Sequence, residues 1–427
     1  MNLSRRVFLA APLAPFGLAA PLARVDLARG EVPADFTGLS FETSELLRGS
    51  LLAPANAALV GLVRRLGGRG VIRLGGNSSD RAHGHPSAAA IAELGGFLRA
   101  VGWSLLYGLD LGNATPEEAA HEAAAVAQAA GPALIAFQLG NEPDLFNRGL
   151  RAASWDFADY LASWERFAAA VLARLPAAHF AGPDIAYRAS WMEPFARNAR
   201  PHPRLLTRHF YAEGPGSSPA VTIARLLDSG PELDAALVPA EQAARAAGIP
   251  LRMSETNSVY DGGRLGVSNT LAAACWGAEL MFRLAARGWT GVNFHDRPTR
   301  SYAPIGATRP LAKPLYYGML LFAAAKPRRV SFRGGHAKLR HYRVEGRDGR
   351  TRLAFFNLDP TRSVIARFSG PRPSASALRL AASAPASSTV TLGGASVADD
   401  GAWLPRWENV RAAIELAPAS ALIVTLG

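Results

Sequence analysis

Apolar and polar positions follow two different rhythms along this chain. From about residue 36 to 296, short apolar runs alternate with longer amphipathic stretches. That alternation is the pattern of repeated βα units around a parallel sheet. Eight runs read as strands: residues 36–41, 71–76, 103–111, 134–139, 179–184, 205–211, 251–254 and 291–295. The helices between them are marked by apolar spacing. Leu59, Leu62, Val63 and Leu66 fall on one helical face and stop at Gly67-Gly68. Another helix opens at Thr115-Pro116-Glu117-Glu118, with a capping hydroxyl, a proline in the first turn and a glutamate placed to close a capping box. Eight such units predict an α/β fold of the (β/α)8 TIM-barrel type. An open doubly wound sheet is the structural alternative, but no glycine-rich dinucleotide fingerprint follows the first strand.

After about Pro314 the rhythm changes. Leu315 to Phe322 reads as a last helix, and alternating segments punctuated by Ser, Gly and Pro follow, among them 351–356, 363–368, 389–392 and 421–426. These predict a C-terminal β-sandwich domain. The Ala/Ser/Pro-rich stretch 374–388 reads as a strand connection, and 25–32 as an added strand. The expected division is a leader over 1–28, a barrel over 29–318 and the β-sandwich over 319–427. The leader rests on Arg5-Arg6 ahead of a modest apolar stretch that contains Pro12 and Pro15, the form of a twin-arginine export signal. That stretch is too short and too broken to span a bilayer, and no cysteine follows it to carry a lipid. A periplasmic or secreted protein without a stable membrane anchor is expected.

Composition narrows the class. With 427 residues, 49% hydrophobic and 19% charged, the chain is long enough to bury a full core and to form more than one domain. The lone Cys275 excludes an internal disulfide and a cysteine zinc site, and among alanines in a helix it reads as a buried inert thiol. The net charge of +12 falls to +9 once residues 1–30, with four arginines and one aspartate, are set aside. An excess of that size favours anionic ligands by steering. Nucleic acid is disfavoured as a partner because no zinc-finger spacing, ribonucleoprotein motif or long basic block is present. The cluster Lys326-Pro-Arg-Arg329 reads as a solvated turn. No metal and no cofactor are expected, since His83-Gly-His85-Pro86 lacks a third ligand at suitable spacing. The oligomeric state is not set by the sequence.

In a barrel of this kind reactive side chains sit where strands end and βα loops begin. The fourth strand leads into Leu139-Gly-Asn141-Glu142-Pro143-Asp144, and the seventh into Ser254-Glu255-Thr-Asn257. Either glutamate alone reads as an ordinary loop carboxylate. Two of them, each after an apolar run and beside an amide, supply what glycoside cleavage needs: an acid for the leaving oxygen and a carboxylate to attack, about 5–5.5 Å apart for a retaining reaction. Asn141 is placed to donate to a sugar hydroxyl beside the reacting carbon. His209 and Tyr211, ending the sixth strand, either line the pocket, with Tyr211 donating to Glu255, or are packed rings. Asn77 and Asp80 are candidates for sugar hydroxyls, as is Glu42 after the first strand. Arg73 is read equally as an ion-pair partner inside the barrel. His295-Asp296-Arg297 at the eighth strand is a further pocket candidate.

These motifs are similar to those of the large clan of (β/α)8 retaining glycosidases, with Glu142 matching the acid/base and Glu255 the nucleophile. More narrowly the chain resembles glycoside hydrolase family 79, the β-glucuronidases and heparanases. That match rests on Arg73-Leu-Gly-Gly-Asn77-Ser-Ser-Asp80, Gly182-Pro-Asp184, and Ser254-Glu-Thr-Asn-Ser-Val-Tyr260-Asp-Gly262-Gly263 followed by Ser268-Asn-Thr. The resemblance implies a glycan substrate containing a β-linked uronic acid. It also implies that the loop after the nucleophile, around Tyr260, Gly262 and Gly263, grips the uronate carboxylate through backbone N–H groups, assisted by Tyr302. Glycines there allow donor amides to approach an anion closely. A clan relative acting on a neutral sugar, or a barrel that binds carbohydrate without cleaving it, remains an alternative.

Overall fold

The computed structural model describes residues 5–9, 31–47, 49–81, 84–306, 310–336, 338–368, 375–410 and 413–426. The expected leader over 1–28 lies outside the described residues, apart from the backbone of Arg5–Leu9.

Eight parallel strands close into a barrel: β1 (Thr37–Glu42), β2 (Val71–Gly75), β3 (Ser104–Leu109), β4 (Leu134–Leu139), β5 (Phe180–Ile185), β6 (Leu205–Glu213), β7 (Leu251–Val259) and β8 (Val292–His295). β8 pairs with β1 to complete the ring. The predicted strands coincide with these to within a residue or two, except at β7. That strand was expected to stop at Ser254 but runs on to Val259, paired along β6 as far as Glu213, so Glu255 sits within a strand and not at its tip.

The period of two decides what fills the barrel. At its base Val71, Leu106, Ala136, Ala181 and Leu205, from five neighbouring strands, form one apolar cluster. Two residues further along three of these strands the inward positions turn polar: Arg73 on β2, Gln138 on β4 and Thr207 on β6, all fully buried. The outward positions, such as Leu39, Phe41, Ile72 and Leu74, pack against the surrounding helices.

The main helices are α1 (Ala57–Arg65), α2 (Ala88–Val101), α3 (Pro116–Ala130), α4 (Phe157–Arg174), α5 (Met192–Asn198), α6 (Gly230–Ala247), α7 (Leu271–Ala286) and α8 (Pro314–Ala325). The capping box at Thr115 and Glu118 is present. α7 is buried almost all round because it lies between the barrel and the C-terminal sheet. Its Glu279 accepts from Tyr342 at 2.6 Å across that junction. Cys275 is buried in α7, and burial pushes its thiol far above the ordinary value.

The C-terminal strands are β9 (Pro327–His336), β10 (Leu339–Gly346), β11 (Thr351–Asn357), β12 (Val364–Phe368), β13 (Ala375–Ala381), β14 (Thr391–Leu392), β15 (Glu408–Val410), β16 (Ala413–Leu416) and β17 (Ser420–Leu426). The larger sheet runs β9-β10-β11-β17-β13-β14 with β15 on β13, and β12 pairs with β16 in a smaller one. Phe355, Leu422 and Val424 of the first meet Ala366, Ile414 and Leu416 of the second in a separate small core.

Three sequence expectations change here. The stretch 374–388 holds β13, whose Ala377, Leu378 and Leu380 are fully buried; small residues hid a central strand. Lys326 to Arg329 is the end of α8 and the start of β9, and Arg328 faces Glu31 and Glu345 at 3.5 and 3.4 Å. The division placed at 318/319 falls inside α8, which runs to Ala325. Of the strand expected over 25–32, residues 25–30 lie outside the described residues, while the Val32 N–H donates to Arg328 at 2.7 Å.

Candidate active site

The polar inward positions converge at the C-terminal mouth of the barrel, around a cavity of about 570 Å³ lined by Glu142 and Glu255. Arg73 is the hub beneath it. Fully buried, it donates to Asp184 at 2.6 Å, Glu255 at 2.7 Å, Asn141 Oδ1 at 2.8 Å, and Gln138 and Ser40 at 3.1 Å each. Gly75 makes room for this guanidinium, since a Cβ there would lie 2.4 Å from Arg73 Cζ.

Glu255 is pinned on several sides. Besides Arg73, the Tyr211 hydroxyl donates to it at 2.7 Å and His295 Nδ1 lies 3.5 Å away. Burial works against its charge, but His295, His209 and Arg73 together outweigh burial and hold its carboxyl below the usual value.

Glu142 is held differently. It sits in the left-handed region at φ 50°, and its amide donates to Asp184 O at 3.0 Å. Its carboxylate faces His209 Nδ1 at 3.0 Å. Here burial wins: aided by the charges of Glu255 and Asp144, it raises the Glu142 carboxyl against the pull of His209. His209 is shared, since Nε2 lies 3.1 Å from Asp184. Burial disfavours the imidazolium, but the charges of Asp184 and Glu255 push it up to about 10. Glu42 accepts from the Ser78 amide at 2.8 Å and hydroxyl at 2.5 Å, with His295 Nε2 at 3.5 Å. Against burial, these partners hold it down at about 2.

One ligand-type atom from each of Glu142, His209 and Glu255 lies within 4.8 Å of the others. That spacing could admit a cation, but both ring nitrogens of His209 already face carboxyl groups, Nδ1 that of Glu142 and Nε2 that of Asp184. One oxygen of each glutamate therefore lies within 4.8 Å of the other, close enough for the roughly 5–5.5 Å separation of a retaining pair.

No family model matches the chain. A β-glucuronidase of Neurospora crassa is 31% identical over 226 residues, covering 45% of this chain and 40% of that protein. A β-glucuronidase of Aspergillus niger is 28% identical over 226 residues, again 45% of this chain and 41% of the relative. The chain is similar to β-glucuronidases. The match spans about two fifths of the length of these relatives. In fold it is similar to a 4-O-α-L-rhamnosyl-β-D-glucuronidase of Fusarium oxysporum 12S, with a TM-score of 0.76, 20% identity, and 93% of this chain and 97% of the other covered. By sequence and fold together it resembles glycoside hydrolase family 79.

Of the residues singled out in the sequence, Glu42, Asn77, Tyr211, Tyr260, Gly262, His295 and Tyr302 line the same cavity as the two glutamates. Gly263 sits behind Gly262 at φ 81°, against Ser301 and Tyr302. The Ser301 amide and hydroxyl both donate to Gly262 O at 3.0 Å, which ties this loop to the one after β8. Asn257 Nδ2 adds a bond to His295 O at 2.9 Å. Asn141 and Asp80 lie outside the cavity wall. Asn141 Oδ1 is occupied by Arg73. Asp80 is a strut and not a sugar ligand: it accepts from the amides of Leu111, Gly112 and Asn141 at 2.8, 3.0 and 2.6 Å. Burial, with Asp110 nearby, pushes it up to about 7. His83 lies outside the described residues, and His85 pairs with Glu122 at 2.9 Å, away from the cavity.

Sequence reasoning missed much of the rim. Arg81, Arg148 and Arg300 line the cavity together with Arg297, and Tyr187 stands beside them. All occupy the segments following β2, β4, β5 and β8, the loops expected to carry function, but nothing in their immediate neighbours distinguishes them from other loop arginines.

Proposed function

We propose that this chain hydrolyses β-linked glucuronides of glycans with net retention, through a double displacement. The observation that carries this reading is a pair of carboxyl groups, with oxygens within 4.8 Å of one another, whose proton affinities are driven in opposite directions, Glu142 up and Glu255 down. Such a split is how two like residues take acid and nucleophile roles at one pH.

In the first step Glu255 attacks the anomeric carbon while the bond to the leaving oxygen breaks and Glu142 delivers its proton to that oxygen. Arg73, Tyr211 and His295 keep Glu255 charged and aimed until then. Forming the ester removes the Glu255 charge, so the repulsion that helped raise Glu142 disappears and Glu142 becomes a better base. It then takes a proton from water, and the water oxygen displaces Glu255 from the sugar. His209 keeps Glu142 within reach throughout.

The uronate is assigned to the wall formed by Tyr260 to Gly263 and Tyr302. Among the described residues the amides of Asp261, Gly262 and Gly263 donate to no protein acceptor. These three residues are consecutive in the left-handed region, a backbone form that gathers N–H groups toward an anion. Arg297 and Arg300 add positive potential at the same wall. The similarity to β-glucuronidases supports the choice of a uronate over a neutral sugar.

A panel of nitrophenyl glycosides tests this, with β-D-glucuronide expected to turn over at least a hundredfold faster than β-D-glucoside and Glu255→Gln expected to abolish turnover. Equal rates on the two sugars would reject the uronate site, and substantial activity in Glu255→Gln would reject the mechanism. Arg5-Arg6 and the apolar stretch after them support export of the folded chain by the twin-arginine route to the periplasm or beyond. Among the described residues no helix is long and apolar enough to cross a membrane.

A further inference from the structure

The segment after β5 holds an aromatic ring where burial alone would not put one. Tyr187 is 58% exposed, yet its backbone belongs to one of the most firmly tied loops at the barrel mouth. Asp144, fully buried two residues beyond Glu142, accepts from the amides of Ala186, Tyr187 and Arg188 at 2.9, 2.8 and 2.9 Å. The neighbouring Arg188 guanidinium is anchored over Trp191 at 5.7 Å. The loop that carries the acid/base therefore also fixes the loop that carries Tyr187. The backbone bonds fix where the ring enters the cleft, and an aromatic ring with a polar tip presented there is placed to meet a ligand.

The position of the ring says which part of a substrate it meets. Glu142 must face the leaving oxygen, so the wall beyond it receives the leaving group. Leu145 and Arg148 after β4 and Ala186 and Tyr187 after β5 line the cavity on the loops next to Glu142. The glucuronate in the reading above lies against Tyr260 to Gly263 and Tyr302, which border the same cavity.

We propose that Tyr187 is the platform of a leaving-group subsite that stacks the apolar face of a second sugar ring, so that the substrate is glucuronic acid attached to another sugar. This rests on the assignment of Glu142 as the acid. A pyranose ring presents a patch of C–H groups that matches an aromatic face, and Leu145 extends the contact. Because this contact lies away from the reacting carbon, its binding energy is expressed in kcat/KM for substrates that own a leaving sugar.

The test compares two substrates on the full chain. One is a disaccharide with glucuronic acid β-linked to a second hexose; the other is β-D-glucuronosyl fluoride, whose leaving group is too small to reach Tyr187. The ratio of kcat/KM values, disaccharide over fluoride, is measured in the wild type, Tyr187→Ala and Tyr187→Trp. Tyr187→Ala is expected to lower that ratio roughly tenfold, the loss of one ring contact, and Tyr187→Trp to keep it within a factor of about three of the wild type. An unchanged ratio in Tyr187→Ala, or equal losses in Ala and Trp, overturns the platform. Wild-type turnover of the fluoride with an unchanged ratio overturns the subsite alone; wild-type failure on both substrates overturns the glucuronidase reading and the subsite with it.

Discussion

Replacing Arg73 by methionine removes a buried cation on which two carboxylates depend. Arg73 makes five hydrogen bonds, of which those to Asp184 and Glu255 are ion pairs at 2.6 and 2.7 Å with all three side chains at most 7% exposed. Breaking a buried pair by removing one partner costs about 3–5 kcal/mol, because the other charge stays behind uncompensated. The two carboxylates are not equally stranded. Asp184 keeps His209 at 3.1 Å and the Ser254 hydroxyl at 2.5 Å. Glu255 keeps Tyr211 and a more distant His295. Glu255 is therefore the group whose proton affinity rises most, each pKa unit recording about 1.4 kcal/mol of lost stabilisation of its charged form. Two readings follow. Urea unfolding followed by tryptophan fluorescence should show about 3 kcal/mol or more lost at pH 7. The acid limb of kcat/KM, set by ionisation of Glu255, should move up by at least about one pH unit. Arg73→Lys keeps the charge but not the fork, so it should recover most of the limb position and less of the stability. A methionine variant with an unmoved urea midpoint and an unmoved acid limb would refute the claim that Arg73 holds the nucleophile charged.

Other outcomes follow from the same contacts. The wild-type profile of kcat/KM should be bell-shaped, its acid limb belonging to Glu255 and its basic limb to Glu142, and in Glu142→Gln the basic limb should disappear from whatever activity remains on a fluoride substrate. Tyr211→Phe removes a hydrogen bond to a charged carboxylate and should lower kcat about 10- to 100-fold at an unchanged melting temperature, corresponding to about 1.5–3 kcal/mol. Gly263→Ala would place a Cβ 2.5 Å from Ser301 Oγ at a φ of 81°; KM for the glucuronide should rise while the rate on a neutral glycoside changes less, and equal effects on both would argue against this loop as the carboxylate grip. His209 has a folded pKa raised to about 10, so it adds stability that is fully present below about pH 6.5 and drains away as pH rises toward 10; His209→Gln should flatten the alkaline fall seen in thermal melts.

The barrel was legible because its strands are short apolar runs with clean ends, and because the helices carry their own punctuation at Gly67 and Thr115. What failed to show were elements whose signal lies in their partners. β13 is built from Ala, Ser and Leu, and only its place between β17 and β14 makes it a central strand. β7 outruns its apolar stretch because Thr256 to Val259 find a partner along β6. At the site, Glu142 and Glu255 stood out because each closes a strand motif. Asp80 and Asp144 did not reveal their use: each spends its carboxylate on three backbone amides, Asp80 across two neighbouring loops and Asp144 on one, and local sequence does not set such an aspartate apart from any other. The rim arginines were hidden for the opposite reason, since exposed arginines are common and only convergence on one cavity sets them apart.

The asymmetry between the two glutamates follows from where the buried donors beneath the cavity sit. Three groups with positive charge or a donated proton converge on Glu255: Arg73, Tyr211 and His295. Glu142 faces His209 at 3.0 Å, and that imidazole is shared with Asp184. Were the positive charge divided evenly, both carboxyls would ionise together and the acid would be lost. Asp184 prevents this by engaging both Arg73 at 2.6 Å and His209 at 3.1 Å. It touches no substrate in this arrangement, yet its removal should lower the proton affinity of His209 and release Arg73 from its place at once. Asp184→Asn is therefore expected to shift both limbs of the pH profile, and a variant that moved only one of them would show that the two glutamates are tuned independently.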